Sequence, residues 1–147
     1  MTSNSNKVFD INGVKQAHGE LIVVGHNDIN ELLLMSKSNK FRSRICFHQD
    51  NASLCHEMLI CLDSKTQINP HSHQNKHETF LCIAGRIELT YRKDKFSDEK
   101  KIMIGSYSDF INNEVDTFLY RMNAPYIHSH KIITDHAVVM EITDGPF

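Results

Sequence analysis

His71, His73 and Glu78 are the residues whose types and spacing could do chemistry. They lie in the stretch Pro70-His71-Ser72-His73-Gln74-Asn75-Lys76-His77-Glu78. Residues i and i+2 of a strand share a face, so the two imidazoles of an extended segment point the same way. Gln74–His77 can form a turn, after which Glu78 opens a returning strand and brings a carboxylate beside them. Two imidazoles and a carboxylate with open positions form a facial set that holds a divalent first-row metal. A further ligand has to come from a distant strand, and the candidates are His128, His130 and His136. The first two form a second His-x-His pair in Pro125-Tyr126-Ile127-His128-Ser129-His130. His136 follows a turn at Thr134-Asp135 and reads as a surface residue.

Such a set suits one divalent transition metal: Zn, Fe, Mn, Ni or Co. Raw affinity favours the later metals of the series, so the ligands alone do not select one. A site that keeps a position for water or substrate is expected, because a closed four-ligand site would be structural. Arg42 and Arg44 alternate with Ser43 and share a strand face with Cys46 and His48. Turned inward, two guanidiniums could clamp a phosphate or carboxylate. His48 could then act as a general acid or base. Turned outward, the arginines would form surface ion pairs and His48 would be structural. Tyr91, Tyr120 and Tyr126 could line the mouth and stack on a sugar, and Tyr126 joins Arg42 and Arg44 as a candidate substrate-binding residue.

The elements that must position these groups follow from periodicity. Ile29-Asn-Glu-Leu-Leu-Leu-Met-Ser-Lys37 is the one convincing helix, with Asn27 or Asp28 as its N-cap and Ile29, Leu32, Leu33 and Ser36 on one face. Lys37, Lys40 and Arg42 follow its C-terminal end, which suits the helix dipole. Leu21-Ile-Val-Val24 reads as a short strand or a tucked arm. From Arg42 onward the period is two, which predicts strands near 42–48, 56–62, 67–73, 78–84, 86–92, 101–106, 117–122, 127–134 and 136–142. Ala84-Gly85-Arg86 reads as a tight hairpin, and Lys93–Lys100 as a charged loop. One helix followed by eight or nine short strands predicts an all-β sandwich or barrel, with a double-sheet jelly roll as the natural candidate. Residues 1–40 would be an N-terminal arm and helix, and 41–147 the β-barrel.

Composition bounds the rest. The chain has 147 residues, enough for one domain with a real core. Lys plus Arg is 16 against 18 for Asp plus Glu, a net charge of −2. With no basic excess to neutralise phosphates, nucleic acid is not an expected partner. No apolar run approaches a membrane span, and the polar stretch Met1–Lys7 lacks the apolar core of a signal peptide. A cytoplasmic protein is expected. Cys46, Cys55, Cys61 and Cys82 form no Cys-x-x-Cys pair and read as reduced, buried thiols.

The stretch from His71 to Gly85 resembles the first motif of the cupins, at His71, His73, Glu78 and Gly85. The segment ending in His128 looks like their second motif, which supplies the third histidine. A narrower resemblance is to the WbuC-type cupin-fold metalloproteins. Arg42-Ser-Arg44 with His48, Glu57–Leu62, Pro70–His73 with Asn75-Lys76, and Glu141-Ile-Thr-Asp-Gly-Pro-Phe147 all look like their segments. Its spacing to Glu141 favours His128 over His130 as the ligand. The likeness covers roughly residues 20–147. It implies a cupin jelly roll holding a divalent metal on His71, His73, Glu78 and His128, with a role in surface polysaccharide biosynthesis.

Three functions fit these readings. The first is a metal-dependent enzyme that isomerises or epimerises a small polar substrate, such as a sugar or sugar nucleotide. The second is a non-haem iron dioxygenase. The third is a non-catalytic sugar- or metal-binding module. A sheet edge beside an N-terminal arm also invites pairing with a second copy, so a homodimer is expected.

Overall fold

The computed structural model describes residues 9–38 and 41–146. Met1–Lys7, Lys40 and Phe147 lie outside the described residues. In chain order the elements are β1 (Val14–Gln16), α1 (His26–Ser38), β2 (Arg42–Cys46), β3 (Cys55–Asp63), β4 (Ile68–His71), β5 (Glu78–Ala84), β6 (Arg86–Arg92), β7 (Lys100–Gly105), α2 (Tyr107–Ile111), β8 (Leu119–Met122), β9 (Ile127–Ile132) and β10 (His136–Asp144). They form two sheets, ordered β1-β2-β3-β10-β5-β8 and β4-β9-β6-β7. The expected all-β jelly-roll architecture is present as two facing sheets. Among the described strands no ladder joins the sheets into a closed barrel.

The core lies between the sheets. Met58, Ile60, Leu62, Phe80, Cys82 and Val139 of the larger sheet meet Ile87, Leu89, Ile104 and Ile132 of the smaller one. β3 departs from period two because both of its faces are covered. Its Leu59 and Cys61 turn outward against Leu32 of α1, together with Ile45 and Val138. The predicted face of α1 is the one that packs: Leu32 and Ser36 are buried, and Ile29 and Leu33 pack against the same cluster. The helix begins earlier than its sequence suggests, at His26. Asp28 is its third residue, and its carboxylate accepts from the Gly25 N–H at 2.9 Å, which satisfies one unpaired donor of the first turn.

Three other expectations change. Leu21–Val24 joins no strand, and Leu21 and Val23 are 81 % and 75 % exposed. The arm's strand is instead Val14–Gln16, parallel to β2 and tied to α1 by ion pairs from Lys15 to Asp28 and Glu31. Ala84-Gly85-Arg86 is not a hairpin: β5 pairs with β10 and β8, whereas β6 pairs with β7 and β9. Gly85 is therefore the corner where the chain changes sheets, at φ +80°, a conformation that glycine adopts without steric cost. All four cysteines are free thiols, but Cys55 is exposed while Cys46, Cys61 and Cys82 are buried.

Candidate metal centre

His71 and His128 come from the smaller sheet, His73 from the loop after β4, and Glu78 from the larger sheet. His71 ends β4, the edge strand of the smaller sheet, where the missing N–H of Pro70 costs no ladder bond. The ladder from β4 to β9 pairs Ile68 with His130 and His71 with His128, so three steps on one strand face two on the other. That irregularity at Asn69-Pro70 turns His71 to the same side as His128. His73 lies past the end of β4 rather than within the strand expected over 67–73. It is brought inward by the turn at Gln74-Asn75, where Asn75 takes φ +57°. Glu78 opens β5 in the opposite sheet and is buried.

The ligand-type nitrogens of His71, His73 and His128 lie within 4.8 Å of one another. Glu78 Oε2 is 3.6 Å from His73 Nε2 and 3.9 Å from His128 Nε2. His71 Nδ1 donates to the Asn69 carbonyl at 2.8 Å and His128 Nδ1 to the Tyr126 carbonyl at 3.0 Å. Each bond holds the proton on Nδ1 and leaves Nε2 with a bare lone pair, the tautomer that a metal needs. His128 Nε2 is buried and has no hydrogen-bond partner. A buried, unpaired acceptor costs about 1–3 kcal/mol, and a cation between the imidazoles would remove that cost. The donor set therefore fits a divalent ion. Burial lowers the pKa of His73, only partly offset by Glu78, so the ring is held neutral as a ligand should be.

His130 is placed differently. Its Nε2 lies 3.0 Å from the Tyr120 hydroxyl, which in turn donates a short hydrogen bond to Glu78 Oε1. Its ring stacks on Phe80 at 4.9 Å. Burial, then the neighbouring His128 and His71, push its pKa down to about 3. Tyr120, one of three tyrosines set apart by the sequence, thus orients the carboxylate of Glu78. Burial and then the Glu78 charge raise its own pKa well above the usual phenol value. His136 is half-buried and lines a different hollow, with Gly85 and Thr134.

The cluster opens into a cavity of about 430 Å³. Arg42, Arg44, Cys46 and His48 all line it, so the arginine face of β2 looks inward. His48 Nδ1 is 3.2 Å from the Glu57 main chain, its ring stacks on His56 at 3.9 Å, and burial lowers its pKa. Tyr126 stands apart. Its ring lies edge-on to Tyr91 at 6.0 Å and lines a separate hollow with Tyr120 and Leu89. Its contribution to the cluster is its carbonyl. Gln16, Asn51 and Glu141 also line the cavity, and sequence reasoning did not select them. Glu141 could have been found, since it shares the inward register of Val139 on β10. Burial, then the charge of Glu78, push its pKa up to about 7 against the pull of Arg42 and Arg44.

The loop between His73 and Glu78 is clasped by the C-terminal end of β10. Asp144 Oδ2 accepts from His77 N at 2.8 Å and lies 2.6 Å from His77 Nδ1. Thr143 Oγ1 donates to the His77 carbonyl at 2.8 Å, and Lys76 Nζ to the Pro146 carbonyl at 3.1 Å. The His77 N–H, then its ring, hold the Asp144 carboxyl below the usual carboxylate range.

No curated protein matches the chain in sequence. Solved structures do match in fold. The cupin domain of Schizosaccharomyces pombe Cnp3 shares 10 % identity over 72 % of this chain and 65 % of that one, with a TM-score of 0.51. Hydroxypropylphosphonic acid epoxidase from S. wedmorenis shares 12 % over 71 % and 51 %, with a TM-score of 0.52. Bacillus subtilis oxalate decarboxylase shares 15 % over 65 % and 22 %, with a TM-score of 0.49. The chain thus spans from 22 % to 65 % of the length of these proteins. At such identities the likeness is one of fold, and the fold is that of the cupins. The family model described as "Domain of unknown function (DUF6016)" matches residues 25–103. The chain belongs to that family, as a cupin-fold protein with three histidines gathered at the mouth between its sheets.

Proposed function

We propose that this protein is a metal-dependent cupin enzyme acting on a small polar substrate. The observation that carries the reading is the convergence of His71, His73 and His128 on one point, with the buried Nε2 of His128 left without a partner. These three imidazoles would hold the ion, and Glu78, steadied by Tyr120, would complete the set. A bound divalent ion would polarise a carbonyl or stabilise an enediolate, which suits isomerisation or epimerisation. The chain's own groups then bind and move protons. Arg42 and Arg44 offer guanidiniums to the substrate from the β2 wall. His48, kept neutral by burial and steadied on the Glu57 main chain, is the proton acceptor or donor nearest that wall on the same strand face. The resemblance to WbuC-type proteins supports a sugar or sugar nucleotide of surface polysaccharide biosynthesis as the substrate. No described helix is long and apolar enough to cross a membrane.

The test is metal content after purification without chelator or affinity tag, beside a His71→Ala/His73→Ala variant. One equivalent of divalent metal in the wild type, lost in a variant that keeps its circular dichroism, is the expected result. No metal in either protein after incubation with Zn, Fe, Mn, Ni and Co would refute the reading and leave a binding module. Oxygen uptake by the iron-loaded protein would point instead to a dioxygenase.

The clasp gives a second prediction. Asp144 holds His77, in the loop that joins His73 to Glu78. Outer partners of this kind are worth roughly 10–100-fold in metal affinity. Asp144→Ala should weaken metal binding about 10-fold in a chelator competition. Its melting temperature should barely move, since the pair with His77 is half-exposed.

A homodimer is the assembly we propose, through the arm. Leu21–Val24 is an apolar run with strong strand propensity that joins none of the described strands. The wild type should sediment as a dimer at micromolar concentration, and Leu21→Asp/Val23→Asp as a monomer. A monomeric wild type would overturn this.

A further inference from the structure

The far wall of the cavity carries two guanidiniums that no ion pair among the described residues engages. Arg42, exposed at the rim, and Arg44, half-buried, stand two residues apart on the face of β2 that lines the cavity; partial desolvation and then the charge of Arg44 lower the pKa of Arg42 against the pull of Glu141. Ion pairs among the described residues, taken to 4.0 Å, include neither guanidinium. Arg44 Nε is buried without a hydrogen-bond partner, and so is Oε1 of Gln16 from β1, which lines the same cavity. The two residues are close in register, since Val14 of β1 pairs with Arg44 of β2 and Gln16 with Cys46. The charge of Glu141 acts on both arginines, yet among the described residues it forms no ion pair with either. Like charges held side by side in a partly desolvated wall repel each other, and an unpaired buried N–H adds its own cost. A planar guanidinium has the geometry to grip carboxylate or phosphate through two parallel bonds.

We propose that the natural ligand is a small oxyanion-bearing molecule whose carboxylate or phosphate is held between Arg42 and Arg44. Gln16 accepts a hydrogen bond from a hydroxyl or amide of the same molecule, through its unpaired Oε1. The inference deepens the proposed function and rests on it for one point only, that the other end of the ligand faces the histidines. The cavity volume of about 430 Å³ lies toward the lower end of the roughly 300–1,000 Å³ of ligand sites, which suits an acid or phosphate of monosaccharide size.

The test uses the full chain, stripped of metal, titrated with inorganic phosphate and separately with malonate. Calorimetry and the 15N resonances of the arginine Nε–H groups are followed. Saturable binding of one anion with movement of the Arg44 Nε–H resonance is expected. Arg42→Gln and Arg44→Gln should each weaken that binding at least 10-fold, and Arg44→Lys should weaken it less than Arg44→Gln. Preference for phosphate or malonate identifies which oxyanion the natural ligand carries. Should either glutamine variant fail to fold, the wild-type resonance shift and the lysine variant decide. Equal binding by wild type and variants, or no binding of either anion at 10 mM, would overturn the inference. Metal uptake is measured on the same samples. No anion binding by a wild type that takes up metal fully refutes this inference alone, and no metal uptake by a wild type that binds the anion refutes the proposed metal function alone.

Discussion

His128→Ala should abolish tight metal binding while sparing the fold, and His130→Ala should do the reverse. The two residues stand two apart on one face of β9, so the contrast lies in their partners. His128 offers a buried, unpartnered Nε2 to the cluster. His130 spends its Nε2 on Tyr120 and stacks on Phe80. Loss of a direct ligand should exceed the roughly 10–100-fold effect of outer partners. Binding to the native state stabilises by about 4 kcal/mol when the metal is 1,000-fold above its Kd. A 100-fold weaker Kd leaves a ratio of about 10 and a gain of about 1.4 kcal/mol by the same relation. Thermal melts with and without metal read that difference. Without metal, the His128→Ala variant loses packing but also sheds an unsatisfied buried acceptor, two effects of about 1–3 kcal/mol with opposite sign. Its metal-free stability should stay within about 1 kcal/mol of wild type. His130→Ala should cost about 2 kcal/mol of packing in both states and keep the metal-induced shift. A full metal shift in His128→Ala, with its loss in His130→Ala, would reverse the assignment.

Gly85→Ala should be a strongly damaging single-methyl change. A Cβ there would meet the His136 carbonyl oxygen at 2.3 Å, with Ala137 Cα and Thr134 Oγ1 both at 2.8 Å. The first two contacts are backbone of β10 and its approach, and they cannot rotate away. Thr134 is equally fixed, because its hydroxyl donates to the His136 carbonyl at 2.7 Å and accepts from the Arg86 N–H at 2.9 Å. Positive φ on a non-glycine residue costs roughly 1–3 kcal/mol, and overpacking typically costs roughly the same again. A loss of about 3 kcal/mol or more follows, against the roughly 5–15 kcal/mol that holds a domain together. The melting temperature should fall by about 10 °C or more. The variant's metal Kd, measured below its melt, should stay near wild type, because the corner is at the opposite end of β5 from Glu78. An unchanged melting temperature would show that the corner can relax, contrary to this packing.

How much of this was legible beforehand depends on how local each feature is. The face of α1 was readable, because an apolar stripe at helical spacing can be buried in only one way. His71, His73 and Glu78 were readable as a set, because their types and close spacing survive an error in the strand limits. His73 indeed falls outside β4, yet the turn at Gln74-Asn75 still delivers it. The inward direction of Arg42, Arg44 and His48 followed only once β2 had a neighbour on each side and a sheet opposite. Period two says that they share a face and leaves open which face it is.

The remaining features are properties of pairing. The irregular β4–β9 register, which sets His71 opposite His128, is not written in either strand alone. The change of sheet at Gly85 looked like a hairpin because strand–Gly–strand reads the same whether the second strand folds back or crosses over. β3 lost its alternation because a helix from a distant part of the chain covered its outer face. Glu141 and Gln16 became cavity residues only when β10 and β1 took their places beside β3 and β2. The sequence by itself determined the ligand chemistry and the all-β class, since both rest on residue types and short spacings. The tertiary structure supplied the geometry that sets His128 rather than His130 at the cluster, in line with the family resemblance, and it alone decided which wall holds the arginines. Those outcomes depend on register and on facing sheets, which couple residues far apart in the chain.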